Sequence, residues 1–205
     1  MLFLFLVFLL DLWQQRHRLI YCSCRKQIVT AVVFFVLLPV LYNTVVLKKN
    51  RRFYRLQVGD WKKGVFWAIV GVVISLGIIS GLIKYADFLH AYLLPSDIGG
   101  NFGYFLFYEL VLVAFFTAMY EFFFRGFVLF HFSPFIRTWA VLVQFVLFVL
   151  LLWATGSVSW LFAPYIIFAP FAGWIAYKSD SLLYSFSGQL IFIIIIDASV
   201  IKMLS

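Results

Sequence analysis

Charged side chains are scarce in this sequence. Asp, Glu, Lys and Arg make up 12% of the 205 residues, hydrophobic residues make up 65%, and the mean hydropathy is +1.06. A water-soluble domain of this length needs a polar shell, and this composition cannot supply one. The chain must therefore use lipid as its solvent, which predicts an integral membrane protein.

Cysteine and histidine are also rare. The two cysteines, Cys22 and Cys24, are spaced C-x-C, and the three histidines are far apart at His17, His90 and His131. A metal site would need more ligands near the cysteines, and a disulfide across one residue would be strained. We interpret the cysteines as free thiols near a membrane surface, with acylation as the alternative. We expect neither a metal nor a cofactor.

Acidic residues are half as numerous as basic ones, which leaves a net charge of +8. The basic residues gather in short loops beside apolar runs, a pattern typical of cytoplasmic loops of membrane proteins. It is not the pattern of a nucleic-acid-binding surface, so no nucleic-acid partner is expected.

The apolar runs do not alternate with polar residues, which argues against a membrane barrel. Continuous apolar runs of about 20 residues predict transmembrane helices instead. We predict an all-α polytopic bundle with six clear spans and a short first helix at 1–13, joined to the second by a basic connector at 14–27. The six spans are 28–47, 64–86, 102–130, 138–153, 160–177 and 181–203.

Two local features within these spans carry structural predictions. Gly77-x-x-x-Gly81 lies in the span 64–86, and this spacing of small residues can allow close helix contact. Pro134 lies in the segment 131–137, which we predict to be a turn.

The loops predict an orientation. The loop 48–63 carries seven basic residues against one acid, and the turns 131–137 and 178–180 fall on the same side if every run spans. The loops 87–101 and 154–159 fall on the other side and contain almost no Lys or Arg. Loop 48–63 is therefore predicted to be cytoplasmic. The basic connector 14–27 disagrees, which a first helix that does not span normally would explain.

One segment, Thr117 to Gly126, places a carboxylate and a guanidinium inside an apolar run. Glu121 and Arg125 are four residues apart and share a helix face. Charges at this depth are costly unless they pair or face the protein interior. We predict that the two side chains are buried and in contact, either as a structural ion pair or as the remnant of a catalytic site.

Further polar residues inside the spans extend this set. Gln189 and Asp197 are eight residues apart and share a face, as do Glu109 and Tyr120, eleven apart. These faces should point into the bundle. We interpret Glu121, Arg125, Gln189 and Asp197 either as structural polar contacts or as the lining of a cavity that binds a partner's helix or chain terminus.

The order of these features resembles a known family. A basic loop, Gly59-Asp60-Trp61, two spans and then Glu121-x-x-x-Arg125-Gly126 with Phe124 are similar to the CPBP (Abi) family of type II CAAX prenyl endopeptidases and bacteriocin-immunity proteins. The turn from Ser181 to Tyr184 supports the resemblance, which covers about residues 53–195. It implies the fold of a helical intramembrane glutamic peptidase. We divide the chain into 1–52, with N-terminal membrane helices and the connector, and a CPBP-like domain at 53–205.

The family motifs are only partly present in this sequence. The resemblance implies an activating Glu at the position of Tyr120, a His at Leu152 after Phe148, and a further His and Asn or Asp on the last span. The last motif aligns with Gln189 and Ile193, and a shift of four would put Asp197 in its final position but Ile193 in place of the His. Tyrosine is protonated near neutrality and is a poor base. The family-motif positions are Tyr120, Glu121, Arg125, Leu152, Gln189 and Ile193.

The resemblance and these losses predict a catalytically inactive membrane subunit or partner-binding scaffold. One alternative is an active intramembrane glutamic endopeptidase with an atypical site, and another is a transporter or channel component, because charged residues inside the membrane also occur there. The expected partners are the lipid bilayer and either other membrane protein subunits or a hydrophobic peptide or helix. We expect the protein in a bacterial cytoplasmic membrane.

Overall fold

A computed structural model describes residues 29, 32–46, 48, 54–85, 88–92, 94, 101–156 and 159–204. These residues form an all-α bundle without strands, as predicted. The predicted helix at 1–13, the connector 14–27, Cys22 and Cys24 lie outside the described residues. The helices are α1 Val33–Val46, α2 Trp61–Tyr85, α3 Phe88–Ala91, α4 Phe102–Ile136, α5 Trp139–Ala154, α6 Trp160–Ser179 and α7 Leu183–Leu204.

Four of these helices are long and apolar enough to cross a membrane: α2, α4, α6 and α7. Helices α1 and α5 are apolar but shorter. Large apolar side chains cover the outside of the bundle, such as Ile69 and Val73 on α2, which are about 60% exposed. In water this surface would be a liability, whereas in a bilayer it contacts lipid. The protein is an integral membrane protein.

The centre of the bundle is the packing of α2, α6 and α7. Phe168 of α6 stacks on Phe192 of α7 with ring centroids 5.4 Å apart, and both side chains are fully buried. A second apolar cluster joins α4 to α5 and α6 through Phe124, Phe148 and Ala169. This second cluster surrounds the charged pair of α4 and fixes its position.

Helix α2 begins at Trp61 because Asp60 caps it. The Asp60 carboxylate accepts a hydrogen bond from the backbone N–H of Lys63 at 3.2 Å and pairs with its ammonium group at 2.8 Å. The hydrogen bonds from Lys63 lower the pKa of the Asp60 carboxyl. An acid at a helix N-terminus is also favoured by the helix dipole.

The close helix contacts lie at glycines other than the predicted pair. A Cβ atom at Gly64 would overlap the ring of Tyr184, so α2 and α7 touch there. A Cβ atom at Gly77 or Gly81 would meet no atom within 4 Å, so the predicted close contact through them is wrong for the described residues. Helix α2 is oriented about its axis so that Gly77 lies on an exposed face, whereas Ser75 and Ile79 face the interior of the bundle.

Helix α4 is longer than predicted. The segment 131–137, predicted as a turn, is helical to Ile136, and the chain reverses at Arg137, which has a φ of 50°. A proline inside a helix leaves the carbonyl four residues earlier without its N–H donor. Here the Ser133 hydroxyl lies 3.5 Å from the Phe130 carbonyl, the group that Pro134 leaves free. That contact eases the cost of Pro134 and lets the helix continue.

The segment 54–60 docks on the turn between α6 and α7. Asp60 N–H donates to the Ser179 carbonyl at 2.8 Å, and Leu182 N–H donates to the Arg55 carbonyl at 3.1 Å. Arg55 and Asp180 form an ion pair across the same junction. The end of loop 48–63 and the turn 178–180 therefore lie at one end of the bundle, consistent with the prediction that they fall on the same side of the membrane.

Candidate functional site

The side chains of Glu121 and Arg125 are buried and in contact, as predicted. Glu121 Oε1 lies 3.3 Å from Arg125 Nη1, and both side chains are at most 2% exposed. They lie in the stretch Glu121–Leu129, which is wound as a π-helix and so departs from the predicted α-helical spacing. Wide turns of this kind are uncommon and occur frequently at functional sites.

The second oxygen of Glu121 is bound by α7. Ser185 Oγ lies 2.7 Å from Glu121 Oε2, with the hydroxyl as donor. The Glu121 carboxylate therefore has the guanidinium on one side and a hydroxyl on the other. Both contacts stabilise its charged form.

Arg125 and Gln144 converge on one carbonyl of α6. Gln144 Nε2 donates to the Ala169 carbonyl at 3.1 Å, and Arg125 Nη2 approaches the same oxygen at 3.5 Å, a long contact. The guanidinium carbon lies 5.9 Å from the centre of the Phe148 ring. Arg125 therefore connects α4, α5 and α6 while pairing with Glu121.

Several polar atoms at this level have no hydrogen-bond partner among the described residues. They are Glu121 Oε1, Nε and Nη1 of Arg125, and the amide oxygens of Gln144 and Gln189. The 3.3 Å contact of Nη1 with Glu121 Oε1 is an ion pair without hydrogen-bond geometry. Buried polar groups normally find partners. The polar layer around Glu121 and Arg125 therefore holds hydrogen-bond donors and acceptors that have no partner among the described side chains.

The other family-motif positions are occupied by packed side chains. The Tyr120 ring makes edge contacts with Phe35, Phe148 and Tyr165, at centroid distances of 5.3 to 6.1 Å. Leu152 and Ile193 are 3% and 1% exposed. Neither of these two side chains can accept or donate a proton.

No imidazole that the structure describes lies beside Glu121. Among the described side chains the one histidine is His131, whose ring stacks on Phe127 with centroids 5.9 Å apart. It follows Glu121 by ten residues, which is at least two helical turns away.

Gln189 and Asp197 are both buried on α7, as their spacing predicts, but Asp197 does not lie at the level of Glu121. Asp197 Oδ1 accepts a hydrogen bond from the Tyr92 hydroxyl at 2.5 Å. Asp197 follows Ser185 by twelve residues, roughly 18 Å along the helix. The four residues predicted to line one cavity, Glu121, Arg125, Gln189 and Asp197, therefore lie at two different depths of the bundle.

The sequence interpretation missed Ser185, Gln144 and Tyr92. Two of them could have been found from the sequence. Ser185 precedes Gln189 by four residues and so shares its helix face. Gln144 is an amide in an otherwise apolar helix, which indicates a buried polar contact. Tyr92 lies in the loop predicted at 87–101 and follows the single turn α3. No periodicity in the sequence indicates that its hydroxyl reaches α7.

Comparison with known proteins supports the resemblance. The model of the family described as type II CAAX prenyl endopeptidase Rce1-like matches residues 100–192. This range contains α4, α5, α6 and the first half of α7, including Glu121, Arg125 and Ser185. The family resemblance indicated by the motifs is thus confirmed over this range, and the protein is a membrane protein similar to CAAX proteases. No curated protein and no solved structure matches the chain.

Proposed function

We propose that this protein is a non-catalytic relative of the intramembrane CAAX proteases that acts as a membrane subunit or partner-binding scaffold. The observation that carries the proposal is the environment of Glu121. Its carboxylate is bound by Arg125 at 3.3 Å and by Ser185 at 2.7 Å, inside a layer that is almost wholly buried.

Hydrolysis of an amide needs a base that activates water and donors that stabilise the oxyanion. Glu121 is paired with a cation through Oε1 and accepts a hydroxyl hydrogen bond at Oε2, and both contacts stabilise its charged form. The position before it holds Tyr120, and the positions where the resemblance implies imidazoles hold Leu152 and Gln189 or Ile193. The described residues thus supply no imidazole or second carboxylate that could act with Glu121 at this site.

The binding role rests on the unmatched polar groups. Nε and Nη1 of Arg125 lack a hydrogen-bond acceptor, and Gln144 and Gln189 each have an amide oxygen without a donor among the described residues. A backbone segment or chain terminus of a partner offers both kinds of group. The proposed partner is another membrane protein or a hydrophobic peptide, bound in a bacterial cytoplasmic membrane with loop 48–63 on the cytoplasmic side.

The test is purification of the tagged protein from its native membrane in a mild detergent. We expect a membrane protein to co-purify in a fixed molar ratio and to be lost from Gln144→Leu, which removes the unmatched amide. The outward-facing change Leu142→Gln on the same helix is the matched control. Purification of a folded protein without any stoichiometric companion would contradict the scaffold role.

A further inference from the structure

The outer surface of the bundle carries a groove between α2 and α5, across the surface of α6. Its volume is about 450 Å³, which lies within the usual range of small-molecule sites. The lining is apolar and aromatic and comes from all three helices, with Ile74 on α2, Val141 on α5 and Trp174 on α6 among its members. Ile74 is 44% exposed, so the groove opens toward the surroundings of the bundle, which are lipid.

Two glycines bring the helices of the groove together. A Cβ atom at Gly71 of α2 would lie 3.2 Å from the Cβ atom of Phe171, so α2 lies close against α6 there. A Cβ atom at Gly173 of α6 would lie 2.5 Å from Nε2 of Gln144, so α5 lies close against the same helix. Close helix packing therefore sets the floor of the groove.

One end of the groove carries a positive charge. The Lys178 ammonium lies 4.6 Å from the centre of the Trp174 ring, which lines the groove. The Trp174 ring in turn meets the ring of Trp67, another lining residue, with centroids 5.9 Å apart. Lys178 follows Trp174 by four residues, about one helical turn closer to the end of α6. The ammonium group therefore lies at the end of the groove that is nearest to the end of α6.

The acids near this end already have basic partners. Asp180 pairs with Arg55, and Asp60 pairs with Lys63 at 2.8 Å. None of the ion pairs within the described residues includes Lys178. An ammonium group has three N–H donors, and the face of an aromatic ring does not neutralise its charge. Lys178 can therefore bind an external anion at the end of the groove.

We propose that the groove binds an anionic phospholipid, with one acyl chain along the apolar lining and the phosphate on the Lys178 ammonium. A phospholipid carries a hydrocarbon chain and a negative charge in the same order in which the groove presents an apolar lining and a cation. Basic pockets between membrane helices bind anionic headgroups, and tryptophan is common at the level of the headgroups. This end of the bundle is also the one predicted to be cytoplasmic.

The lipid site is separate from the proposed scaffold role. It uses none of the side chains to which partner binding was assigned, and its ligand is a lipid instead of a protein. A lipid in the groove contacts α2, α5 and α6 together. A ligand that binds only the folded chain stabilises it, so the added lipid should also raise the unfolding temperature.

Native mass spectrometry of the full-length protein, released from detergent micelles, tests the headgroup contact. The probes are phosphatidylglycerol and phosphatidylcholine with identical acyl chains. We expect one phosphatidylglycerol to be retained in preference to phosphatidylcholine. Lys178→Ala should weaken phosphatidylglycerol binding by about fivefold, the contribution of one basic side chain near an anionic surface, and leave phosphatidylcholine binding unchanged.

Lys62→Ala is the matched control for this charge. Its ammonium lies 5.9 Å from the centre of the Trp61 ring, a tryptophan at the same end of the bundle that does not line the groove. The substitution removes the same charge and a similar contact, and it should change phosphatidylglycerol binding by less than about twofold.

The acyl chain has its own test. Ile74→Trp places a larger side chain in the groove and should reduce the binding of both lipids. Val73→Trp is its control, because Val73 is the adjacent residue on α2, is 62% exposed and does not line the groove. Lysophosphatidylglycerol, with one acyl chain, should compete with phosphatidylglycerol, whereas glycerol phosphate, with no chain, should not.

Four results would overturn the proposal in folded proteins of equal helical content. Equal retention of the two lipids would remove the headgroup contact, and equal effects of Lys178→Ala and Lys62→Ala would show attraction to the basic end as a whole. Competition by glycerol phosphate would show a site for free phosphate. A dimer that retains no lipid and is lost in Ile74→Trp would show that a second copy of the chain covers the groove.

Discussion

On the scale of single residues, Arg125 is the side chain on which most of the buried polar layer depends. It is fully buried, pairs with Glu121 and approaches the Ala169 carbonyl on α6. A buried charge is stabilising only while its counter-charge is present, because removal of one partner leaves the other desolvated and unpaired.

Arg125→Leu should therefore lower the free energy of unfolding by about 3–5 kcal/mol. The measurement is thermal or denaturant unfolding in detergent or nanodiscs. The double variant Glu121→Gln with Arg125→Leu should recover part of this loss, because it removes the stranded carboxylate. A double variant no more stable than Arg125→Leu alone would show that the pair does not carry the effect.

Ser185→Ala should destabilise the protein by about 1.5–3 kcal/mol, the usual range for a hydrogen bond to a charged group. Ser80 on α2 is the matched control, because its exposed hydroxyl donates to the Leu76 carbonyl of its own helix and not to a charged group. Ser80→Ala should change the stability by less than about 0.5 kcal/mol. Equal effects of the two substitutions would remove the argument that Ser185 acts through Glu121.

The i,i+4 spacing made the contact of Glu121 and Arg125 predictable, because it depends on one helix alone. The contacts of Ser185 with Glu121 and of Tyr92 with Asp197 depend on how separate helices are rotated and stacked. No property of either stretch encodes that relation. The sequence therefore indicated which polar residues are buried but not that they divide into two clusters.

On the scale of helices, close packing depends on where each glycine faces. Gly64 of α2 lies against the Tyr184 ring of α7, whereas Gly77 faces open space on the same helix. The apolar runs predicted a helix at each of the six positions, of which α2, α4, α6 and α7 are long enough to cross a membrane. The runs could not orient α2, which is apolar on nearly every side. The predicted end of α4 was wrong for a different reason. Pro134 does not end the helix, because the Ser133 hydroxyl contacts the Phe130 carbonyl that the proline leaves without a donor.

Gly64→Ala should destabilise the bundle by about 1–3 kcal/mol, because the added methyl group forces α2 and α7 apart. Gly77→Ala should be neutral or stabilising by up to about 1 kcal/mol, since it adds helix propensity in open space. Both values come from the same unfolding measurement. A loss of stability in Gly77→Ala with none in Gly64→Ala would reverse the assigned contact faces of α2.

On the scale of the whole molecule, the two ends of the bundle differ in charge. The segment 54–60 and the turn 179–182 lie together at one end, with Lys62, Lys63 and Lys178 nearby in sequence. Helix α4 begins at the other end with exposed aromatic residues such as Phe102. From the positive-inside rule we predict that the first end faces the cytoplasm.

A membrane-impermeant thiol reagent on intact cells tests this orientation. In a background with Cys22 and Cys24 replaced by Ser, Lys62→Cys should remain unlabelled and Phe102→Cys should be labelled, since both positions are exposed at opposite ends. Permeabilised cells should label both. The opposite pattern in intact cells would invert the predicted topology.

The central claim is that this fold retains Glu121 for structure rather than for hydrolysis. A general base usually contributes about 10²–10⁴-fold to a rate, and Tyr120, Leu152 and Ile193 offer no replacement for it or for an imidazole. The direct measurement is cleavage of a prenylated peptide by the purified protein in a bilayer, beside Glu121→Gln with matched helical content. We expect both proteins to release no more product than empty membranes. Cleavage by the unmodified protein that Glu121→Gln abolishes while the helical content stays unchanged would establish an enzyme and contradict the account.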